Sequence, residues 1–537
     1  MTSLPRSDID RIAALLECGR ASLGIELGST RIKACLIDSA TADVIAVGAF
    51  EWASTFENGY WTYDLDDVRT GVRATYANLA DDCQERYGVR PTTFAALGVS
   101  AMMHGYLAFD ENDELLSPFR TWRNTTTAVA AAELSSALGF NIPQRWSVAH
   151  FYQAVLDGEA HVPRIAWTTT LAGYVHFQLT GEKVLGVGDA SGMFPIGADG
   201  TTYDDVRLTQ LAELLAERRF RGNYATLLPA IHTAGQDAGS LTEAGAQFLD
   251  PTGVLQPGIP LCPPEGDAGT GMVATGAVAP RTGNVSAGTS TFAMVVLEHP
   301  LATSRPEIDV VATPSGQPVA MVHLNNGASE IAEWVHLFRE WAAAAGASIE
   351  SDAAFAALLD SAEVAAPDAG GLLMYNFTAG EPVVDIAAGR PLFARRPDST
   401  MTLANFARAQ VFGVYAALSV GMQLLADDGV ELDRMFAHGG MFRTPGAAQK
   451  LLAAALDTPV TVAHTASEGG AWGIAILAAY RAVEAPQSLE TFVQSAVFSH
   501  VETETVIPEL TDVSGYAEFM IHYRAGLELA RKASYSI

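Results

Sequence analysis

The chain has 537 residues, which at roughly 150 residues per domain fits two to four domains. Apolar residues make up 49% and charged residues 17%, so a large core can form and global disorder is excluded. Lys+Arg is 32 against Asp+Glu of 61, a net charge of -29, which argues against nucleic acid and anionic membranes as main partners.

The cysteines, Cys18, Cys35, Cys83 and Cys262, form no C-x-x-C pair, so the sequence predicts neither a zinc site nor a disulfide framework. A reducing compartment is the simplest reading. The most apolar stretch, Ala471 to Tyr480, is about half of the ~20 residues a membrane helix needs. Charges at Arg6, Asp8, Asp10, Arg11 and Glu17 interrupt any signal-peptide core, and a cytoplasmic protein is expected.

In chain order, Ile9, Ile12, Leu15 and Leu16 predict a short amphipathic helix over Asp8 to Cys18. Leu23 to Leu27, the turn Gly28-Ser29-Thr30, and Arg31 to Asp38 read as a β-hairpin, with Val44 to Trp52 as a third strand. Ala96 to Val99 is an apolar strand ahead of Met102-Met103-His104-Gly105-Tyr106. After Pro263 and Pro264, Asp267 stands where a helix of small residues can begin. A second hairpin, Asn284 to Leu297 around Gly288-Thr289-Ser290-Thr291, follows some 260 residues after the first, with Val319 to Leu324 as its third strand. Two such starts predict a duplicated α/β domain whose small-residue turns approach one cleft. Gly439-Gly440 follows the apolar Met435 to Ala437 and precedes a helix containing Gln449 to Leu456; Tyr516 to Ala533 reads as a terminal helix.

Several of these features suit phosphate chemistry. Ser29 and Thr30 offer backbone N–H groups and hydroxyls without bulk, and Lys33 adds a positive charge; the turn at Gly288 and Thr289 offers the same donors without a cation. Each alone is an ordinary turn, and neither a P-loop nor a properly spaced G-x-G-x-x-G is present. A glycine pair at Gly439-Gly440 lets a flat ring approach the backbone. On local sequence Asp267 is most simply an N-cap, yet a short rigid carboxylate in open space is also what proton abstraction from a hydroxyl requires. His104 is at the end of a strand, where α/β proteins bind ligands. Trp122, Arg123 and Asn124 suit either a sugar platform or a packed loop.

Together, Gly24-x-Glu26-x-Gly28-Ser29-Thr30-x-x-Lys33, Met103-His104-Gly105, Trp122, Gly266-Asp267, Gly288-Thr289-Ser290, Gly327-Ala328-Ser329 ahead of Trp334, and Gly439-Gly440 resemble the FGGY family of carbohydrate kinases from about Leu23 to Glu484. The resemblance implies a two-domain actin-like fold of the sugar-kinase and heat-shock-ATPase class, with duplicated ribonuclease H-like domains around a central cleft. It implies a helical extension over 1–22, a sugar-binding domain over 23–277, an ATP-binding domain over 278–484 and a helical segment over 485–537. Asp267 takes the general-base position, and Met103, His104, Gly105 and Trp122 contact the sugar. Ser29, Thr30, Lys33, Gly288, Thr289, Gly327, Gly439, Gly440 and Thr444 contact ATP, and Glu26 and Asp267 organise Mg²⁺ through water.

ATP-dependent phosphorylation of a ketopentose is therefore expected. D-xylulose is favoured by the Met-His-Gly loop, and L-ribulose is the alternative. Family members often form homodimers, so a homodimer is one expected assembly. Three positions depart from the pattern: Glu26 stands where most members have Asp, Thr444 where many have Asn, and an extension precedes Leu23. An inactive sugar sensor and a heat-shock-type ATPase are the other readings. The first needs a partner-binding module or loss of the base, and the second needs a peptide-binding domain after residue 484.

Overall fold

The computed structural model describes residues 5–443, 446–463, 469–483, 487–499 and 501–536. The chain divides into two compact units. The first comprises Met1–Val278, Val310–Val319 and Thr465–Val501, and the second Ala279–Asp309, Ala320–His464 and Glu502–Ile537.

In the first unit, β1 (Ala21–Leu27), β2 (Arg31–Asp38), β3 (Val44–Glu51), β4 (Ala96–Ala101) and β5 (Glu265–Gly266) form a sheet in the order β5-β4-β1-β2-β3. β1 pairs antiparallel with β2 and parallel with β4; β4 pairs parallel with β5. β1 and β4 are buried almost throughout, as central strands covered on both faces must be. The helix Leu65–Tyr87 crosses β3, capped by the Asp64 side chain and closed by Gly88 at φ 72°. The N-terminal helix, Arg6–Glu17, packs on it and buries Ile12 and Leu16 in the same core.

The other face of this sheet is covered by the helix Gly469–Arg481, whose sequence position falls in the expected second domain and which packs in the first unit. Its approach explains Gly24 and Gly98. A Cβ on Gly24 would collide with the backbone at Ala471 and Ala475, and one on Gly98 would stand 2.7 Å from the Ile474 side chain.

The second unit repeats this plan. β6 (Thr282–Ala287), β7 (Thr291–Val296), β8 (Pro318–Leu324), β9 (Arg434–His438), β10 (Val460–Ala463) and β11 (Thr503–Val506) follow one another as β8-β7-β6-β9-β10-β11. β6 pairs antiparallel with β7 and parallel with β9, and β9 pairs parallel with β10, as β1, β2, β4 and β5 do in the first unit. The expected duplication is thus present in the sheet topology.

The core of this unit is built on the helix Leu403–Asp427, most of it buried, and closed by the helix Leu510–Ser536. Leu403–Asp427 is also the one helix among the described residues long and apolar enough to cross a membrane, and its burial accounts for that composition. It exceeds the stretch from Ala471 that the sequence suggested as most apolar.

Candidate active site

In the first unit the site grows from the carboxyl ends of β4 and β5. Asp267 is the first residue of the helix Asp267–Thr275, and Gly266 before it occupies the cap position, so Asp267 is not the N-cap. Its Oδ1 accepts the Met103 N–H at 3.1 Å, which binds the helix start to the loop leaving β4. That loop is bent by left-handed backbone at His104 (φ 71°) and Gly105 (φ 94°). A side chain at 105 would press on Phe119 and on the Arg120 carbonyl, so glycine is required. The loop is held from behind: the Gly105 N–H donates to the Arg145 carbonyl at 3.3 Å, Ser147 Oγ donates to the Gly105 carbonyl, and the Tyr106 N–H donates to the Arg120 carbonyl at 2.9 Å. The His104 ring stacks on Trp146 at 6.2 Å.

The Asp267 side chain remains open to solvent, yet the protein around it is dense. Desolvation pushes its carboxyl above the ordinary value, against the pull of the Met103, Ala268 and Asp267 N–H groups. A carboxylate raised in this way, yet accessible, suits proton abstraction.

The hairpin turn of the same unit leaves Ser29 and Thr30 exposed. Its carbonyls are fixed by Trp52 Nε1 donating to Gly28 at 2.7 Å and by Tyr63 Oη donating to Ser29 at 2.7 Å. Lys33 stands opposite Glu26 in the β1–β2 register and makes no ion pair with a carboxylate among the described residues. Glu26 lies against Gly470, where a Cβ would collide with Oε1 and stand 2.9 Å from Thr270 Oγ1. Thr270 is one turn into the helix that Asp267 begins, so the two acidic residues flank one helical turn.

No group of three or more metal-ligating side chains occurs among the described residues. A donor set of one or two carboxylates fits Mg²⁺, which keeps most of its water and takes the rest of its ligands from phosphate.

In the second unit the expected nucleotide residues meet at the ends of β6 and β9. The Gly288 N–H donates to the Ser290 carbonyl at 3.0 Å, closing the turn and leaving Thr289 exposed. The Ala328 N–H donates to the Gly288 carbonyl at 2.7 Å, and a Cβ on Gly327 would run into the turn's carbonyls. Gly439 (φ 104°) lies against Ala287, whereas the space around Gly440 is open. Gly288, Thr289, Gly327 and Gly439 thus lie close together in backbone that leaves no room for side chains at 327 and 439, with Gly440 next in the chain. Thr444 lies outside the described residues.

The model of the FGGY family of carbohydrate kinases matches this chain twice, its N-terminal domain over residues 21–150 and its C-terminal domain over 283–482. The chain belongs to the FGGY family of carbohydrate kinases. It is accordingly an ATP-dependent phosphotransferase acting on a carbohydrate. A xylulose kinase of Haemophilus influenzae is 23% identical over 432 residues, covering 78% of this chain and 82% of that one. The solved xylulose kinase of Rhodospirillum rubrum superposes with a TM-score of 0.78 at 21% identity, over 96% of this chain and 100% of that one. The solved gluconate kinase of Lactobacillus acidophilus gives 0.75 at 17% identity, over 96% and 98%. These likenesses at low identity concern the fold of the kinase.

Other parts of the site carry little or no sequence signal. Trp122 is 42% exposed, and no hydrogen bond or ring contact among the described residues ties it to the Asp267 group. Its neighbour Arg123 stacks on Trp61 at 3.8 Å, and Asn124 bonds the Trp61 backbone in both directions. Sequence reasoning missed the groups that hold the loops. Asn376 Nδ2 donates to the Gly327 carbonyl at 2.9 Å. Asn326 Oδ1 accepts the N–H groups of Thr378 and Ala379 at 2.8 and 2.9 Å, and its Nδ2 donates to Glu381, whose carboxyl burial raises to about 7.

It also missed Glu265 and Asp189. Glu265 is buried beside Gly186 and Gly188, where any side chain would strike its carboxylate, and that glycine pair was the available signal.

Proposed function

We propose that this kinase transfers the γ-phosphoryl group of ATP to a terminal hydroxyl of a ketopentose, D-xylulose first and L-ribulose second. The observation that carries the reading is the junction of the Met103-His104-Gly105 loop with Asp267 through the Met103 N–H. It fixes an accessible carboxylate, raised above its ordinary value, beside a loop able to hold sugar hydroxyls. The resemblance of that loop to xylulokinases and the Haemophilus influenzae relative favour xylulose.

In this reading Met103, His104 and Gly105 orient the sugar, with Trp122 as a further expected sugar contact. Asp267 accepts the hydroxyl proton as the oxygen bonds to the γ-phosphorus and ADP leaves. Ser29, Thr30 and Lys33 offset charge on the transferring group, while Gly288, Thr289, Gly327, Gly439 and Gly440 receive the nucleotide. Catalysis is then mainly positioning and electrostatic stabilisation. Mg²⁺, which Glu26 and Asp267 would hold through water, supplies neutralisation of phosphate charge. Reduced cysteines, with three of the four buried, support a cytoplasmic setting.

ADP release measured over a panel of ketoses, with Asp267→Asn beside the unaltered chain, tests this. The variant is expected to lose about 10²- to 10⁴-fold in turnover with sugar affinity nearly retained. Full activity in Asp267→Asn would remove the base from the mechanism, and phosphorylation of no ketose would end the ketopentose reading.

A further inference from the structure

The loop that carries Met103, His104 and Gly105 turns through two successive left-handed residues, and His104 is not a glycine. Backbone of this kind persists only where the surrounding structure holds it. The hold is on the next residue, Tyr106. Its main chain pairs with Arg120 in both directions: the Tyr106 N–H donates to the Arg120 carbonyl at 2.9 Å, and the Arg120 N–H donates to the Tyr106 carbonyl at 3.2 Å. The Arg120 guanidinium lies 5.4 Å from the centre of the Tyr106 ring and 4.4 Å from that of Tyr60. The Tyr106 hydroxyl meets His161 Nε2 at 2.8 Å.

The far ends of these contacts join. His161 Nδ1 lies 3.3 Å from Glu159 Oε2, and Arg120 Nη2 donates to the same oxygen. Tyr106, Arg120 and His161 are buried, and Glu159 is partly so. Desolvation would raise the Glu159 carboxyl, but the bonds from His161 and Arg120 prevail and hold it at about 2, so it is ionised and can only accept. The hydrogen between it and His161 therefore sits on Nδ1. In the neutral imidazole this leaves Nε2 as an acceptor, and the Tyr106 hydroxyl, which burial keeps protonated, donates to it. The side chains form a closed circuit with a fixed direction of donation, and it ends on the residue next to Gly105.

We propose that Arg120, Glu159 and His161 are positioning residues for the sugar acceptor, acting through Tyr106 to hold the Met103-His104-Gly105 loop in the shape that faces the substrate beside Asp267. The proposal rests on the reading of that loop as the sugar contact. A loosened loop weakens sugar binding, while the residues expected to receive the nucleotide base and turn belong to the second unit and keep their own supports.

The test is steady-state kinetics of the full chain with its best acceptor from a panel of ketoses and polyols, beside Tyr106→Phe, Glu159→Gln and Arg120→Gln. Tyr106→Phe keeps the ring and removes one hydrogen bond, and is expected to raise the acceptor KM about three- to tenfold. Arg120→Gln removes a charged donor, and about tenfold or more is expected. The KM for ATP should stay within about twofold in each variant. Because Tyr106→Phe and Glu159→Gln cut the same circuit, the double variant should lose no more than about twofold beyond the worse single one, whereas independent effects would multiply. A merely structural role would lower the melting midpoint with both KM values unchanged or moving together, and that result overturns the proposal, as does a multiplicative double variant. Tyr106→Phe and Glu159→Gln decide the question if Arg120→Gln does not fold. An unaltered chain that phosphorylates no acceptor in the panel overturns the sugar reading of the loop and this inference with it. An active chain whose variants keep its acceptor KM overturns the positioning role alone.

Discussion

Removing Asp512 should destabilise the second unit more than any surface change. Arg408, on the helix Leu403–Asp427, is 2% exposed, and its Nη1 donates to Asp512 Oδ1 at 2.9 Å. Its Nε donates to the Ala362 carbonyl at 3.0 Å and its Nη2 to the Glu363 carbonyl at 3.4 Å. Asp512, 9% exposed, lies in the first turn of the helix Leu510–Ser536, so the pair fastens that helix to the core. Asp512→Asn leaves a buried guanidinium with neutral partners only, a change that costs about 3–5 kcal/mol. At about 2–4 °C per kcal/mol for a unit of this size, the melting midpoint should fall by roughly 6–20 °C. Arg408→Met combined with Asp512→Leu removes both charges and should recover to within about 1 kcal/mol of the parent chain. Thermal unfolding followed by tryptophan fluorescence reads this directly, because Trp334 packs on Phe406 of the same helix at 4.9 Å. A fall under about 2 °C for Asp512→Asn, or a double variant no more stable than the single one, would refute the argument.

His150 is fully buried with neither ring nitrogen partnered, and desolvation, then the Arg120 charge, lowers its pKa to about 3. The unfolded chain therefore binds a proton below about pH 6.5 that the folded chain refuses, and stability falls toward acid pH by about 1.4 kcal/mol per unit. His150→Phe should make the fall in urea midpoint between about pH 7 and 4.5 shallower, leaving the share of His176, whose pKa burial lowers to about 4, and an unaltered slope would count against it. Gly327→Ala should push the Gly288–Ser290 turn and raise the KM for ATP roughly tenfold, with the KM for sugar within about twofold; an unchanged nucleotide KM contradicts the placement. Because a base works unprotonated and Asp267 is raised above 3.8, the acid limb of kcat/KM should be displaced upward from the ordinary carboxylate range. A limb at the ordinary position would speak against Asp267 as the titrating group.

The elements with local signatures were legible in the sequence. Alternation and a Gly-Ser-Thr turn predicted the first hairpin within two residues of β1 and β2, and Val319 to Leu324 is β8 but for its first proline. Spacing of Ile9, Ile12, Leu15 and Leu16 gave the N-terminal helix, observed over Arg6–Glu17. What could not be read depends on partners remote in sequence. Asp189 and Glu265 are separated by 76 residues, and Arg408 and Asp512 by 104. Burial creates the significance of each, and burial appears only after folding. The helix Gly469–Arg481 is apolar around much of its surface, so its periodicity did not reveal which sheet it would cover. Gly24 and Gly98 were the trace left by its passage, and in the strand pattern they read only as small residues.

The return of residues Thr465–Val501 to the first unit bears on how the protein can be made. On a ribosome, β1 and β4 emerge early, but the helix that covers their glycines follows more than 360 residues after β4. Until it arrives, Gly24 and Gly98 border an uncovered apolar face, and a nascent chain stalled near residue 278 should be a client for chaperones. The same dependence defeats simple dissection: a fragment ending at 278 lacks a wall of its own interior, whereas one supplied with residues 465–501 in trans has the missing piece to bind.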